Sequence, residues 1–325
     1  MRRRAVDAHG RRAFGRALAA PPLLPPLLSS LLSSLLSSLL SFMPALAQAA
    51  LISRPLGTNG ECVPVVGLGT WQVFDVAPGS KEYAAARETL RVFAAGGGRV
   101  VDSSPMYGRS EAVLGDLMAE DGLRERLFVA TKVWTRGREE GVAQMRDSMA
   151  KLRVSSLDLM QVHNLVDTEA HLETLAKWRK EGRVRLLGIT HYHAGAHREL
   201  EAALKCHRVD TVQLNYSLAE PQAGERLIDA CGDAGAAVIV NRPFAEGALF
   251  ARVRGHAVPA WAEAELGITS WAQYFLKWIL GMPAVTVAIP GTRNPLHVAD
   301  NLGAARGALP DAAQRERMRA HVAAL

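Results

Sequence analysis

Residues 100–115, Val100-Val101-Asp102-Ser103-Ser104-Pro105-Met106-Tyr107-Gly108 continued by RSEAVLG (109–115), decide how this chain folds. Val100 and Val101 run into Asp102, a short loop carries Tyr107, and from Ser110 apolar residues return at three- to four-residue spacing. That succession is a buried strand, a loop and an amphipathic helix. The pattern recurs at once. FVATKVW (128–134) carries Lys132 near its end, and LDLMQVHN (157–164) carries His163. Four proton-handling side chains thus stand at or just past the carboxyl ends of three successive strands. In a parallel barrel those ends open on one face, where catalytic groups collect.

The same alternation runs through most of the chain. Strand-like runs are VPVVGLG (63–69), RVVDSS, RLFVATKV, LDLMQVHN, VRLLGITHY, VDTVQLNY, AAVIVNRPF and VTVAIPG (285–291). Between them lie helical patterns such as Lys81–Ala95, Ser110–Asp121, Glu139–Leu152 and His171–Glu181, with a terminal helix near Asp311–Val322. Strands that are apolar throughout are covered on both faces. Eight of them in about 275 residues fit a (β/α)8 TIM barrel, typically ~250 residues. A doubly wound sheet would want a glycine-rich phosphate turn after its first strand, and GLGTWQVFD lacks one. LISRPL and ECVPVVGLG, flanking Gly-Thr-Asn-Gly, predict an N-terminal β-hairpin ahead of the barrel.

Asp102, Tyr107, Lys132 and His163 suit one kind of chemistry. A phenol is a poor acid near neutrality, with a reference pKa of about 10, and an adjacent ammonium is expected to lower it. A carboxylate keeps that ammonium charged in a sheltered pocket. An imidazole orients a carbonyl oxygen or relays a proton. The set protonates a carbonyl oxygen while something else delivers hydride, so a nicotinamide cofactor is implied. Singly, each residue has an ordinary structural use, such as a helix cap for Asp102 or loop packing for Tyr107. Together at three neighbouring strand ends, they point to catalysis.

With those residues in place, the chain resembles the aldo-keto reductases over nearly everything from Arg54 to Asn301. RPLGTNGECVPVVGLGTW is similar to that family's first hairpin and strand. The segment from Asp102 to Gly115 resembles its signature around the catalytic aspartate and tyrosine, with a five-residue step from Asp102 to Tyr107. ATKVW brings the lysine, QVHN the histidine and EGRVRLLGIT the fifth strand. The resemblance implies reversible carbonyl reduction with Tyr107 as general acid. It also implies a nicotinamide held near His163, Asn164, Thr190, His191 and Gln213. Asn241 stands where many members stack an aromatic ring on the nicotinamide, Pro243, Phe244 and Gly247 fall on the loop that covers the pyrophosphate, and Gly291, Thr292, Arg293, His297 and Asn301 on the adenosine segment. This chain departs from the family at His191, Asn241, Gly291 and His297. NADPH is expected because Arg293 remains, with NADH as the alternative. A cofactor-sensing relative without turnover is the first rival.

Trp71, Met106 and Trp134 follow strand ends and are expected to wall the substrate pocket, favouring aromatic or apolar carbonyl compounds. The chain ends soon after its final helix, which predicts an open pocket. His191, His193 and His197 raise a metal-dependent barrel hydrolase as a second rival. His191 falls at the cofactor position, His193 and His197 have no evident carboxylate partner in the sequence, and we expect no metal.

The net charge of +6 is concentrated at one end. Residues 1–47 hold six arginines against Asp7, leaving 32 basic and 31 acidic side chains in the remainder. A body so nearly neutral argues against nucleic acid as a partner. The leader runs from arginines through a Leu-Leu-Ser-Ser repeat to Ala45-Leu46-Ala47, the three-part pattern of an export signal. Arg11-Arg12-Ala13-Phe14 resembles a twin-arginine signal, implying that export machinery as a partner and a periplasmic or otherwise exported location. If translation starts at Met43, the protein is cytoplasmic. Serines interrupt the apolar stretch, so a stable membrane anchor is not expected. The expected organisation is therefore a signal at 1–47 and one barrel domain at 48–325.

Overall fold

The computed structural model describes residues 50–57 and 60–325. The expected export signal at 1–47 and the centre of the hairpin turn lie outside the described residues. Strands β1 (Ser53–Pro55) and β2 (Cys62–Pro64) pair antiparallel, Ser53 opposite Pro64. Eight parallel strands follow: β3 (Leu68–Gly69), β4 (Val100–Asp102), β5 (Phe128–Val133), β6 (Leu157–His163), β7 (Val184–Thr190), β8 (Thr211–Asn215), β9 (Ala237–Asn241) and β10 (Val285–Ala288). Each pairs with its neighbour in sequence. Parallel bridges from Val66 to Ala288 and from Gly69 to Gly291 join the first strand segment to the last, closing the ring. This is the predicted (β/α)8 barrel with its N-terminal hairpin.

One segment differs from the sequence-based expectation. VPVVGLG is two pieces, Val63 and Pro64 in the hairpin, and Leu68 and Gly69 in the barrel. Between them the chain hands its pairing from β1 to β10. The Gly67 amide donates to the Ala288 carbonyl at 2.8 Å, and the Ala288 amide donates to the Val65 carbonyl at 2.9 Å.

The helices are α1 (Lys81–Ala95), α2 (Ser110–Glu120), α3 (Arg138–Lys151), α4 (Thr168–Lys180), α5 (His197–Cys206), α6 (Leu227–Asp233), α7 (Ala248–Arg252), α8 (Ala260–Leu266), α9 (Trp271–Leu280), α10 (Pro295–Gly303) and α11 (Ala312–Ala323). Starts follow capping chemistry. Ser80 accepts from the Tyr83 amide, and Asp311 with Gln314 forms a reciprocal capping box. Helix α4 begins three residues before the expected His171, because Thr168 and Glu169 continue the turn that Asp167 starts. None of the described helices is long and apolar enough to cross a membrane.

The barrel interior changes character along its axis. Its lower layers are one apolar cluster including Val100, Phe128, Ala130, Leu159, Leu186, Ile239 and Val287, stoppered by Leu56 and Val63 from the hairpin. Side chains alternate across a strand, so inward positions recur every second residue. Two steps further up, the inward residues become polar: Phe128–Ala130–Lys132, Leu159–Gln161–His163, and Ala237–Ile239–Asn241. Gly188 makes room at this level, since a Cβ there would stand 2.8 Å from the Thr211 carbonyl and 3.2 Å from Gln161 Cγ. The outer faces of the strands pack against the helices in a second, larger core.

Candidate active site

At the carboxyl ends of the strands lies a cavity of about 640 Å³. Asp102, at the end of β4, is buried at its floor and accepts from three strands at once. Lys132 Nζ of β5 donates to Oδ2 at 2.6 Å, while Gln161 Nε2 of β6 and Gln213 Nε2 of β8 donate to Oδ1 at 3.2 and 2.8 Å. Lys132 is wholly buried and also donates to the Ser103 carbonyl at 2.8 Å. Burial alone would strip its proton. The neighbouring Asp102 and Tyr107 outweigh that cost and hold the lysine above its ordinary pKa, as an ammonium.

That ammonium stands 5.0 Å from the centroid of the Tyr107 ring. Tyr107 is presented by the loop between β4 and α2, where Gly108 takes φ +59° and a Cβ would strike the Asp75 carboxylate. The sequence predicted a lowered phenol pKa, and the structure corrects this. Burial raises it, Lys132 pulls the other way, and burial prevails. Tyr107 therefore keeps its proton, ready to be given rather than already lost.

His163, at the end of β6, lies edge-on to Tyr107 with ring centroids 6.1 Å apart. Burial, the Lys132 charge and His191 push its pKa down to about 2, so the ring is neutral across the ordinary range. Its Nδ1 is 3.1 Å from the Ser104 hydroxyl. The predicted quartet thus converges on one site, with Lys132 behind Asp102 and the other three on the cavity wall.

Trp71, Met106 and Trp134 also line the cavity, each about 40% exposed at 41, 41 and 42%. Asn164, Thr190, Gln213, Asn241, Pro243, Phe244, Gly247 and Gly291 lie in its wall as expected. Gln213 is more committed than the sequence implied: it donates to Asp102, and its Oε1 accepts from Thr190 Oγ1 at 3.3 Å. His191 is not in the wall. Its ring stacks on Tyr192, and with His193 it forms an aromatic cluster. Thr292, Arg293, His297 and Asn301 lie beyond the wall, on the segment leaving Gly291 and in α10. His197 Nε2 is engaged 2.9 Å from Asn215 Oδ1. Among the described residues no cluster of three or more His, Cys, Asp or Glu is arranged for a metal.

Ser104, Gln161, Tyr192, Arg242 and Phe250 belong to the site and went unpredicted. Gln161 had a signal, because it lies two residues before His163 and so faces the same side of β6. Tyr192 and Arg242 stand two residues and one residue past strand ends, and the Arg242 guanidinium donates to the Tyr192 carbonyl at 2.9 Å. Backbone strain gathers here too. Gln72, Asn164, Leu165, Asp167, Arg242, Ala245 and Glu246 have positive φ without being glycine, and among the described residues only Arg153 does so away from this face.

The site fits a nicotinamide nucleotide on its own chemistry. Asn164 Oδ1 and Asn241 Oδ1 are buried acceptors without a partner, both on residues of the cavity wall. An amide group laid against them supplies the missing donors. Nothing lies within 4 Å of the place a Gly247 Cβ would take, which leaves its backbone open to approach. A barrel with a protonated phenol, a buried ammonium and a neutral imidazole at the mouth of such a cavity defines a carbonyl-reducing oxidoreductase.

Comparison with known proteins places that class within one family. The aldo/keto reductase family model matches residues 65–322. An aldo-keto reductase of Mycobacterium sp. (strain KMS) is 30% identical over 254 residues, covering 75% of this chain and 84% of the relative. The match to aldo-keto reductase YhdN of Bacillus subtilis is 27% identical and spans 54% of that relative and 52% of this chain. The crystal structure of an aldo-keto reductase from Klebsiella pneumoniae in complex with NADPH superposes with a TM-score of 0.70 at 26% identity, covering 83% of this chain and 95% of that one. The chain belongs to the aldo/keto reductase family, whose members are NAD(P)H-dependent enzymes.

Proposed function

We propose that the protein reduces aromatic or apolar aldehydes and ketones to alcohols, with NADPH as hydride donor and Tyr107 as proton donor. One observation carries this reading: Tyr107 stands proton-loaded beside the Lys132–Asp102 pair, at the floor of a cavity walled by two indoles. Bound nicotinamide supplies the hydride, which no side chain of the set can. Asn164 and Asn241 hold its amide. The loop at Pro243–Gly247 covers the phosphates, and Arg293, which makes no ion pair among the described residues, offers the cation for a ribose phosphate. NADPH in the Klebsiella neighbour supports the same choice.

Trp71, Met106 and Trp134 grip the apolar part of the substrate, and His163 orients its carbonyl oxygen. As negative charge grows on that oxygen, the Tyr107 proton crosses to it. The Lys132 ammonium steadies the phenolate left behind, and Asp102 keeps the ammonium charged. Tyr107→Phe should lower kcat by about 10²- to 10⁴-fold with aromatic aldehydes while leaving NADPH binding intact. Equal turnover by the variant would refute the assignment. A cofactor sensor without turnover has no use for the Asp102–Lys132 pair behind the phenol, and oxidation of NADPH on adding aldehyde separates the two readings.

We propose also that residues 1–47 direct export by the twin-arginine route, after cofactor has bound. The three-part pattern and Arg11-Arg12 support this. Retention of an Arg11→Lys/Arg12→Lys double variant in the cytoplasm is the expected result. Equal retention of the unaltered chain would instead place the protein in the cytoplasm, as expected for a start at Met43.

A further inference from the structure

We infer that Ser104 is a positioning residue that fixes His163 in the tautomer carrying its proton on Nε2, so that a donor faces the substrate oxygen. A count of hydrogen-bonding groups supports this, and the inference deepens the reductase reading on which it rests. Ser104 is fully buried, two residues past Asp102. Its hydroxyl has one proton to give and accepts through its oxygen. The Met106 amide donates to that oxygen at 3.4 Å. The other partner is His163 Nδ1 at 3.1 Å.

Two arrangements satisfy that distance. If Nδ1 carried the imidazole proton, Ser104 Oγ would accept from both Nδ1 and the Met106 amide. The hydroxyl proton would then have no acceptor among the described residues, on a side chain with no exposed surface, which is costly. If the hydroxyl donates to Nδ1, every group is satisfied, and the imidazole proton must sit on Nε2. The ring is neutral, so it holds a single proton to place.

The consequence is directional. A neutral imidazole presents either a donor or an acceptor to the cavity, and only the donor helps a carbonyl oxygen that is gaining negative charge. Gln161 and Gln213 both donate to Asp102, and none of the three bonds the histidine. Its orientation is therefore left to Ser104. The serine is fully buried and does not line the cavity, so it acts through His163.

Nitrogen-15 NMR of the histidine-labelled full chain tests this without turnover, the His163 signal being identified by its loss in His163→Gln. The expected result is protonated Nε2 and acceptor Nδ1, unchanged from about pH 5 to 9. Ser104→Ala should mix the two tautomers and lower kcat about tenfold, with NADPH affinity unchanged, and Ser104→Thr should restore both. A protonated Nδ1 in the unaltered protein overturns the inference whatever the variants do. So does a Ser104→Ala protein with unchanged tautomer and kcat. Failure of the reductase reading would appear separately, as no oxidation of NADPH by the unaltered protein on adding aldehyde, while the tautomer stands on its own spectrum.

Discussion

The two ends of the barrel interior are built from the same strands and do opposite work. The lower end buries Val100, Phe128, Leu159, Ile239 and Val287 under a hairpin stopper and exposes nothing reactive. The upper end, one or two inward positions along the same strands, carries Asp102, Lys132, Gln161, His163 and Asn241 beneath an open cavity. Below, stability comes from apolar area removed from water, at ~25 cal/mol per Å². Above, buried polar groups cost desolvation; Asp102 and Lys132 offset it by pairing with each other, whereas the Asn164 and Asn241 acceptors are left open toward the cavity. The contrast teaches that one alternating strand can supply the foundation with its first inward residues and the chemistry with its last.

The division between the two ends breaks most severely at Lys132→Met. It leaves Asp102 as a buried carboxylate without its cation, and destabilisation of about 3–5 kcal/mol is expected, together with loss of most turnover. Chemical denaturation and kcat measured on the same sample check both effects. A stable, fully active variant would show that the upper end does not depend on its charges.

Phe128→Ala, on the same strand two inward steps lower, should cost about 3–5 kcal/mol of stability but leave kcat of the folded protein within about twofold of its starting value, since each twofold step is only ~0.4 kcal/mol in the barrier. Denaturation midpoints set against initial rates decide it. A large fall in kcat would mean the two ends are not separable.

The smallest effect sharpens the contrast through pH. The pKa of His163 is pushed down to about 2 in the fold, whereas an unfolded histidine titrates near 6.5. The unfolded chain therefore binds the extra proton first. The histidine's contribution is intact above about pH 6.5 and is lost as pH falls below it, at no more than about 1.4 kcal/mol per pH unit. His163→Gln should flatten the stability–pH curve between about pH 6.5 and 4. An unchanged slope would locate acid sensitivity elsewhere.

Much of this is legible in the chain itself. Runs that stay apolar over their length announce strands covered on both sides, and their alternation with amphipathic helices announces a barrel. Asp102, Tyr107, Lys132 and His163 are readable because each closes or just follows a strand, and strand ends share a face. Arg293, His297 and Asn301 are reached only through family resemblance, since nothing in their local pattern marks them. Gln161 is marked only by its two-residue spacing from His163, and Ser104 escapes a reading of the sequence because a buried serine looks like any polar loop residue until its partner is known.

Local sequence determined the alternation, the helix caps and which residues crown each strand, because these depend on neighbours a few positions away. Only the closed ring decided that Gln161, Gln213 and Lys132, from three different strands, meet on one carboxylate. The same closure decided that burial outweighs Lys132 in setting the Tyr107 pKa. Desolvation and hydrogen-bond pairing are properties of the space around an atom, and a linear chain does not contain that space until it has folded.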